Sequence, residues 1–116
     1  MVQFPKKDKT ATADLTSAAL NYTTDYNNYV RIQNVNFHFS EAVSETVKVT
    51  LDSKNGANYD IVKREVVLVG EKDYVYTPDQ GEGSLDLQKG DELKIECTKA
   101  NVTGSVFVTV KAKELN

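Results

Sequence analysis

Two side chains in the sequence could act as a nucleophile and its base: Cys97 and His38, each the only one of its type. A thiolate beside an imidazole is the minimal pair for covalent catalysis. Nothing local activates either residue. Cys97 lies in LKIEC, where alternation sets it with Leu93 and Ile95, so a buried, inert thiol is expected. His38 stands between Phe37 and Phe39 and so faces the wetter side of its strand. A lone histidine and a lone cysteine do not make a structural zinc site. Carboxylates are more numerous: Glu41, Glu45, Asp79, Glu82, Asp86, Asp91 and Glu92 fall in expected loops or at strand ends. A glycosidase needs two held roughly 5–10 Å apart around a cleft. This chain has no tryptophan for a sugar platform and little length for a cleft, so these acids read as solvated surface. Asp52, Asn55, Asn58 and Asp60 carry the oxygens calcium prefers, but Leu51 and Ser53 occupy ligand positions of the D-x-[DN]-x-[DN]-G loop. Turn chemistry accounts for the same residues. GEGSLDL lacks the lysine and following helix of a phosphate loop. The expectation is a protein that is not an enzyme and uses no cofactor or metal.

The elements that must position any site are short strands. The chain has 116 residues, 40% hydrophobic and 27% charged, which suits one globular domain. Its net charge of −3 comes from 14 basic and 17 acidic residues. The basic ones concentrate only in PKKDK, so a nucleic-acid partner is not expected. No stretch approaches the roughly 18 apolar residues of a membrane span. VQFPKKDK after Met1 lacks the apolar run of a secretory signal. The triplets Asn21-Tyr22-Thr23 and Asn101-Val102-Thr103 therefore read as chance glycosylation matches. The single cysteine permits no intrachain disulfide and fits folding in a reducing cytoplasm.

Residues 1–14 are polar and aperiodic and read as an extended N-terminal arm, long enough to reach roughly 40 Å. Residues 15–116 read as an all-β domain. Residues 46–52 alternate cleanly. Residues 92–98 turn Leu93, Ile95 and Cys97 inward, and residues 105–113 turn Val106, Val108, Val110 and Ala112 inward. In YVRIQNVNFHF, residues 29–39, Val30 and Ile32 share one parity while Val35, Phe37 and Phe39 share the other, so a bulge or corner is expected near Gln33-Asn34. YDIVKREVVLV, residues 59–69, the segment with Tyr74 and Tyr76, and Leu85 with Leu87 supply further strands. Asn55-Gly56 marks a hairpin between two alternating runs, in a loop long enough to hold a bulge or to project. Seven or eight antiparallel strands with one dry face each pack most simply as a β-sandwich, jelly-roll-like in order. Tyr22, Tyr26 and Tyr29 show helical spacing, but the Thr, Asp and Asn between them favour a loop or broken strand. Tyrosine suits a surface that is apolar along its body and wet at its tip.

The run VNFHFSEAVSETVKVTLDSKNGANYDIV, followed by DYVYTPDQ, LDLQKGDELKIECT and GSVFVTVKAKEL, resembles small all-β virion-associated proteins of tailed bacteriophages. The matching stretches are Val49 to Asp60, Tyr76 to Pro78 and Leu85 to Ile95, within residues 35–113. The resemblance implies a capsid decoration, or cement, protein at the virion surface, made in the host cytoplasm. It implies the major capsid protein as partner and a homo-oligomer, in trimer form. It transfers no active-site residue. Partner contacts are then expected from the arm and the Tyr-rich segment, at Phe4, Lys6, Lys7, Lys9, Tyr22, Tyr26 and Tyr29. The alternative from a different class is a carbohydrate- or receptor-binding module of a tail fibre, motivated by NYTTDYNNY.

Overall fold

The computed structural model describes residues 8–24, 26, 28–78, 85–100 and 104–115. Among the described residues nine strands follow one another: β1 (Lys9–Asp14), β2 (Leu20–Thr23), β3 (Val30–Val43), β4 (Thr46–Asp52), β5 (Ile61–Val67), β6 (Glu71–Tyr76), β7 (Leu85–Leu87), β8 (Glu92–Cys97) and β9 (Ser105–Glu114). One short 3₁₀ turn, Ala57–Tyr59, lies between β4 and β5. The strands form two antiparallel sheets. One runs β1-β9-β3-β6, with β7 also paired to β3, and the other runs β2-β8-β4-β5. The chain crosses repeatedly between the sheets, and the order is that of a jelly roll with β7 added.

Alternation explains the packing. Val47 and Val49 of β4, Leu93, Ile95 and Cys97 of β8, and Val106, Val108, Val110 and Ala112 of β9 are all buried, as the two-residue period requires. β3 buries Val30, Ile32, Val35, Phe37 and Phe39 despite their mixed parity. Its register against β9 slips between Ile32 and Asn34, leaving Gln33 as the extra residue. That irregularity restores the inward face where the sequence changes phase. A second slip separates Val49 from Thr50 on β4, with Lys63 of β5 as the additional residue opposite.

The arm expectation is corrected over part of its length. Lys9–Asp14 is a strand, paired residue for residue with Val110 to Ser105 of β9. The sandwich therefore begins by Lys9 rather than at Leu15. The inward residues of β1 are Ala11 and Ala13, which pack against the core but are too small to show an amphipathic pattern. Phe4, Lys6 and Lys7 lie outside the described residues.

The β4–β5 loop is held to a distant turn. Asp91, buried, accepts from the Lys54 amide at 2.9 Å through one oxygen and from the Gln88 amide at 3.1 Å through the other. Lys54 Nζ also donates to Gln88 Oε1 at 3.1 Å. Gly90, at φ 99°, sits beneath the Lys54 stem, where a Cβ would come within 3.3 Å of it. Inside the loop, Asp60 Oδ1 accepts from the Ser53 amide at 2.8 Å.

Candidate interaction surfaces

The residues first considered for catalysis do not meet. Cys97 points inward from β8, while His38 is exposed on the outward side of β3 in the other sheet. Burial, and then the charge of Glu45, push the Cys97 thiol up to about 12, so it stays protonated and un-nucleophilic at neutral pH. His38 Nδ1 lies 2.7 Å from Asp73 Oδ1, an exposed cross-strand pair. Three of the candidate acids serve the fold. Glu45 Oε1 accepts from Thr98 Oγ1 at 2.6 Å and from the Ala100 amide at 2.7 Å. Asp86 accepts two bonds from Arg31, at 2.8 and 3.1 Å, fastening β7 to β3. Asp91 forms the loop clasp. Asp79 and Glu82 lie outside the described residues.

The tyrosines divide sharply. Tyr26 is only 5% exposed, and Lys9 Nζ lies 5.4 Å from the centre of its ring. Burial is the main cause holding the Tyr26 hydroxyl protonated well beyond the ordinary tyrosine range, with Tyr22 and Asp8 adding to it. Tyr22 is partly buried on β2 and packs against the core. Tyr29 is 38% exposed, and its hydroxyl donates to Asp86 Oδ2 at 3.3 Å. The four expected contacts that fall on described residues therefore do not form one outward face: Lys9 and Tyr26 close one side of the sandwich. A stacking platform built from Tyr22, Tyr26 and Tyr29 together is absent. The sequence predicts a loop or broken strand here, and that expectation carries no information on which way each tyrosine faces.

Exposed apolar residues lie elsewhere. Val67 and Val69 are 70% and 74% exposed, at the end of β5 and in the link to β6. On the outer face of the β1-β9-β3-β6 sheet, Phe107 is 44% and Val75 51% exposed. The pairing places Thr12, Phe107, His38 and Asp73 in one row across that face, and Thr10, Thr109, Asn36 and Val75 in the next. Phe107 and Val75 thus stand diagonally across β3, ringed by polar side chains. No rule applied to the sequence singled out these residues, although their parity opposite Val106, Val108 and Tyr76 marks them as outward.

No helix among the described residues is long and apolar enough to cross a membrane. Among them no group of three or more His, Cys, Asp or Glu is placed to hold a metal ion. No protein-family model matches the chain, and no curated protein matches it significantly. A solved structure of similar outline is the NLP-core of Drosophila, described in terms of pentamer formation and histone binding. It shares 14% identity over 90% of this chain and 96% of that one, with a TM-score of 0.42. At that level nothing about its partners or assembly transfers to this chain.

Proposed function

We propose that this chain is a non-enzymatic structural protein that binds other proteins through its outer surface, and that its partner is the assembled shell of a tailed bacteriophage. In that reading it is a capsid decoration protein, located on the virion and contacting the major capsid protein. The observation that carries the binding part is the placement of large apolar side chains. Both inner faces are packed with residues at or near zero exposure, while Phe107 and Val75 stand out on a polar sheet face. Such side chains gain from being covered by a partner, and an apolar centre with a polar rim is the usual anatomy of a protein interface. The identity of the partner comes from the sequence resemblance over residues 35–113. Modest contacts repeated over a symmetric shell add through avidity, so each copy needs only a small patch.

Co-sedimentation with shells assembled from the cognate major capsid protein tests this. The chain should pellet with the shells to a fixed ratio per capsomer. Phe107→Asp should abolish pelleting while leaving the far-ultraviolet circular dichroism unchanged. A chain that stays in the supernatant at all ratios, or binds a glycan array instead, would sink the capsid reading.

A further inference from the structure

β5 ends its sheet, so among the described residues one side of its backbone faces no other strand. An edge of that kind is a template for another strand. Its sequence is Ile61-Val62-Lys63-Arg64-Glu65-Val66-Val67. Laid antiparallel against a second copy about Arg64, it matches itself. Lys63 of each copy falls against Glu65 of the other, once on either side of the axis. Ile61-Val62 falls against Val66-Val67. Among the described residues neither Lys63 nor Glu65 forms a salt bridge within the chain; Lys48 is the cross-strand neighbour of Glu65. Ile61, Val62 and Val67 are each about half exposed or more.

The other edges lack this combination. In β6, Glu71-Lys72-Asp73 laid against itself about Lys72 sets Glu71 against Asp73, two like charges. In β1, Lys9 and Asp14 would match, but both are already engaged. Lys9 covers Tyr26, and Asp14 Oδ1 accepts from the amide and hydroxyl of Thr16. β1 also exposes no large apolar residue. β2, Leu20–Thr23, carries no charge. The extra residue at Lys63 is a device that discourages casual edge pairing. In a two-fold pair the two irregularities lie on opposite sides of the axis.

We infer that β5 pairs with β5 of a second copy of this chain, antiparallel about a two-fold axis near Arg64. Two four-stranded sheets then join into one continuous eight-stranded sheet. The contact is isologous, with the same residues used by both copies. Backbone bonds supply the attraction, and the Lys63–Glu65 pairs fix the register. It does not depend on the capsid reading, and it differs from the three-fold assembly that the resemblance implies.

Sedimentation velocity of the full chain over a range of concentrations is the test. The chain should run as a dimer. Lys63→Glu or Glu65→Lys alone places like charges on both sides of the axis and should weaken the dimer roughly tenfold or more. The double variant Lys63→Glu/Glu65→Lys should restore it, since the pairs re-form with signs exchanged. Circular dichroism of each variant separates lost pairing from lost fold. If a single variant does not fold, hydrogen exchange of the unaltered chain still decides: β5 amides should gain protection as concentration rises. A monomer at the highest concentration reached, a trimer, a double variant as weak as the singles, or β5 exchange independent of concentration would each overturn the inference. Failure to bind shells by a chain that dimerises would overturn only the capsid reading.

Discussion

The two long sides of the sandwich are closed by the same device and differ in what they leave open. On one side Lys9 of β1 lies 5.4 Å from the centre of the Tyr26 ring. On the other, Arg64 of β5 lies 5.2 Å from the centre of the Tyr76 ring in the opposite sheet. In both cases a cation caps an aromatic ring at the margin of the core. β1 is made of Lys, Thr, Ala and Asp, and its end charges are engaged within the chain. β5 is apolar at both ends and carries opposite charges beside its middle residue. One margin is therefore complete in itself, while the other has matching groups left over. Closing a core and finishing an edge are separate requirements, and among the described residues both are met only on the β1 side.

The largest effect should come from removing the complete margin. Deleting residues 1–14 takes away β1 and its pairing with β9, uncovering Val106, Val108 and Val110 from the side. The loss should be several kcal/mol of the roughly 5–15 available, enough to abolish or greatly lower a thermal transition. A fully stable chain after this deletion would show that β1 is dispensable and break the comparison.

Next comes the clasp that fixes the chain just ahead of β5. Asp91→Ala removes the acceptor of two backbone amides, Lys54 and Gln88. It should lower stability by about 2–3 kcal/mol. Hydrogen exchange should accelerate from Ser53 to Val62 and stay unchanged in Lys9–Asp14. Equal acceleration on both sides would mean that the two margins are not independent.

An alkaline titration probes the β2–β8 end of the core. Below about pH 9 the Cys97 thiol is protonated in both folded and unfolded chains, and its contribution is fully present. Above that, the unfolded thiol ionises while the folded one keeps its proton to about 12. Stability should therefore fall as pH rises through this window, by at most about 1.4 kcal/mol per pH unit from this group. Tyr26, also raised by burial, acts in the same direction at higher pH. Urea midpoints at pH 8, 9.5 and 10.5 measure the slope, and Cys97→Ala should flatten it. The smallest effects sharpen the comparison directly. Lys9→Ala should cost about 0.5–1 kcal/mol through the lost contact with Tyr26. Lys63→Ala should leave monomer stability within about 0.5 kcal/mol.

Much of the fold was legible because large apolar residues alternate wherever one face is buried. β4, β8 and β9 fall where their period places them, and the phase change at Gln33 anticipated the register slip in β3. β1 was not legible. Its inward residues are alanines, which bury little area and so leave no contrast with the threonines between them. The surfaces were less legible than the core. Tyr26 looked like a contact residue because tyrosine tolerates water, yet tertiary packing drew it inside. Phe107 and Val75 went unmarked because single outward apolar residues are common in any strand, and only the pairing across β3 brings them near one another. The Asp91 clasp joins residues 37 positions apart, a contact that no local pattern announces.

The position of β9 has a consequence for how the protein acquires its shape. The last described strand lies between β1 and β3, which do not pair with each other. Lys9 meets Val110, so the first described strand has no sheet neighbour until the chain has been made as far as β9. Pairing over such separations is slow, on the order of milliseconds to seconds. A nascent chain leaving the ribosome can assemble β4 with β5, but its other sheet stays split until synthesis reaches β9. Until then the apolar faces of β1 and β3 stand apart, and C-terminal truncation should trap the molecule in that half-assembled form.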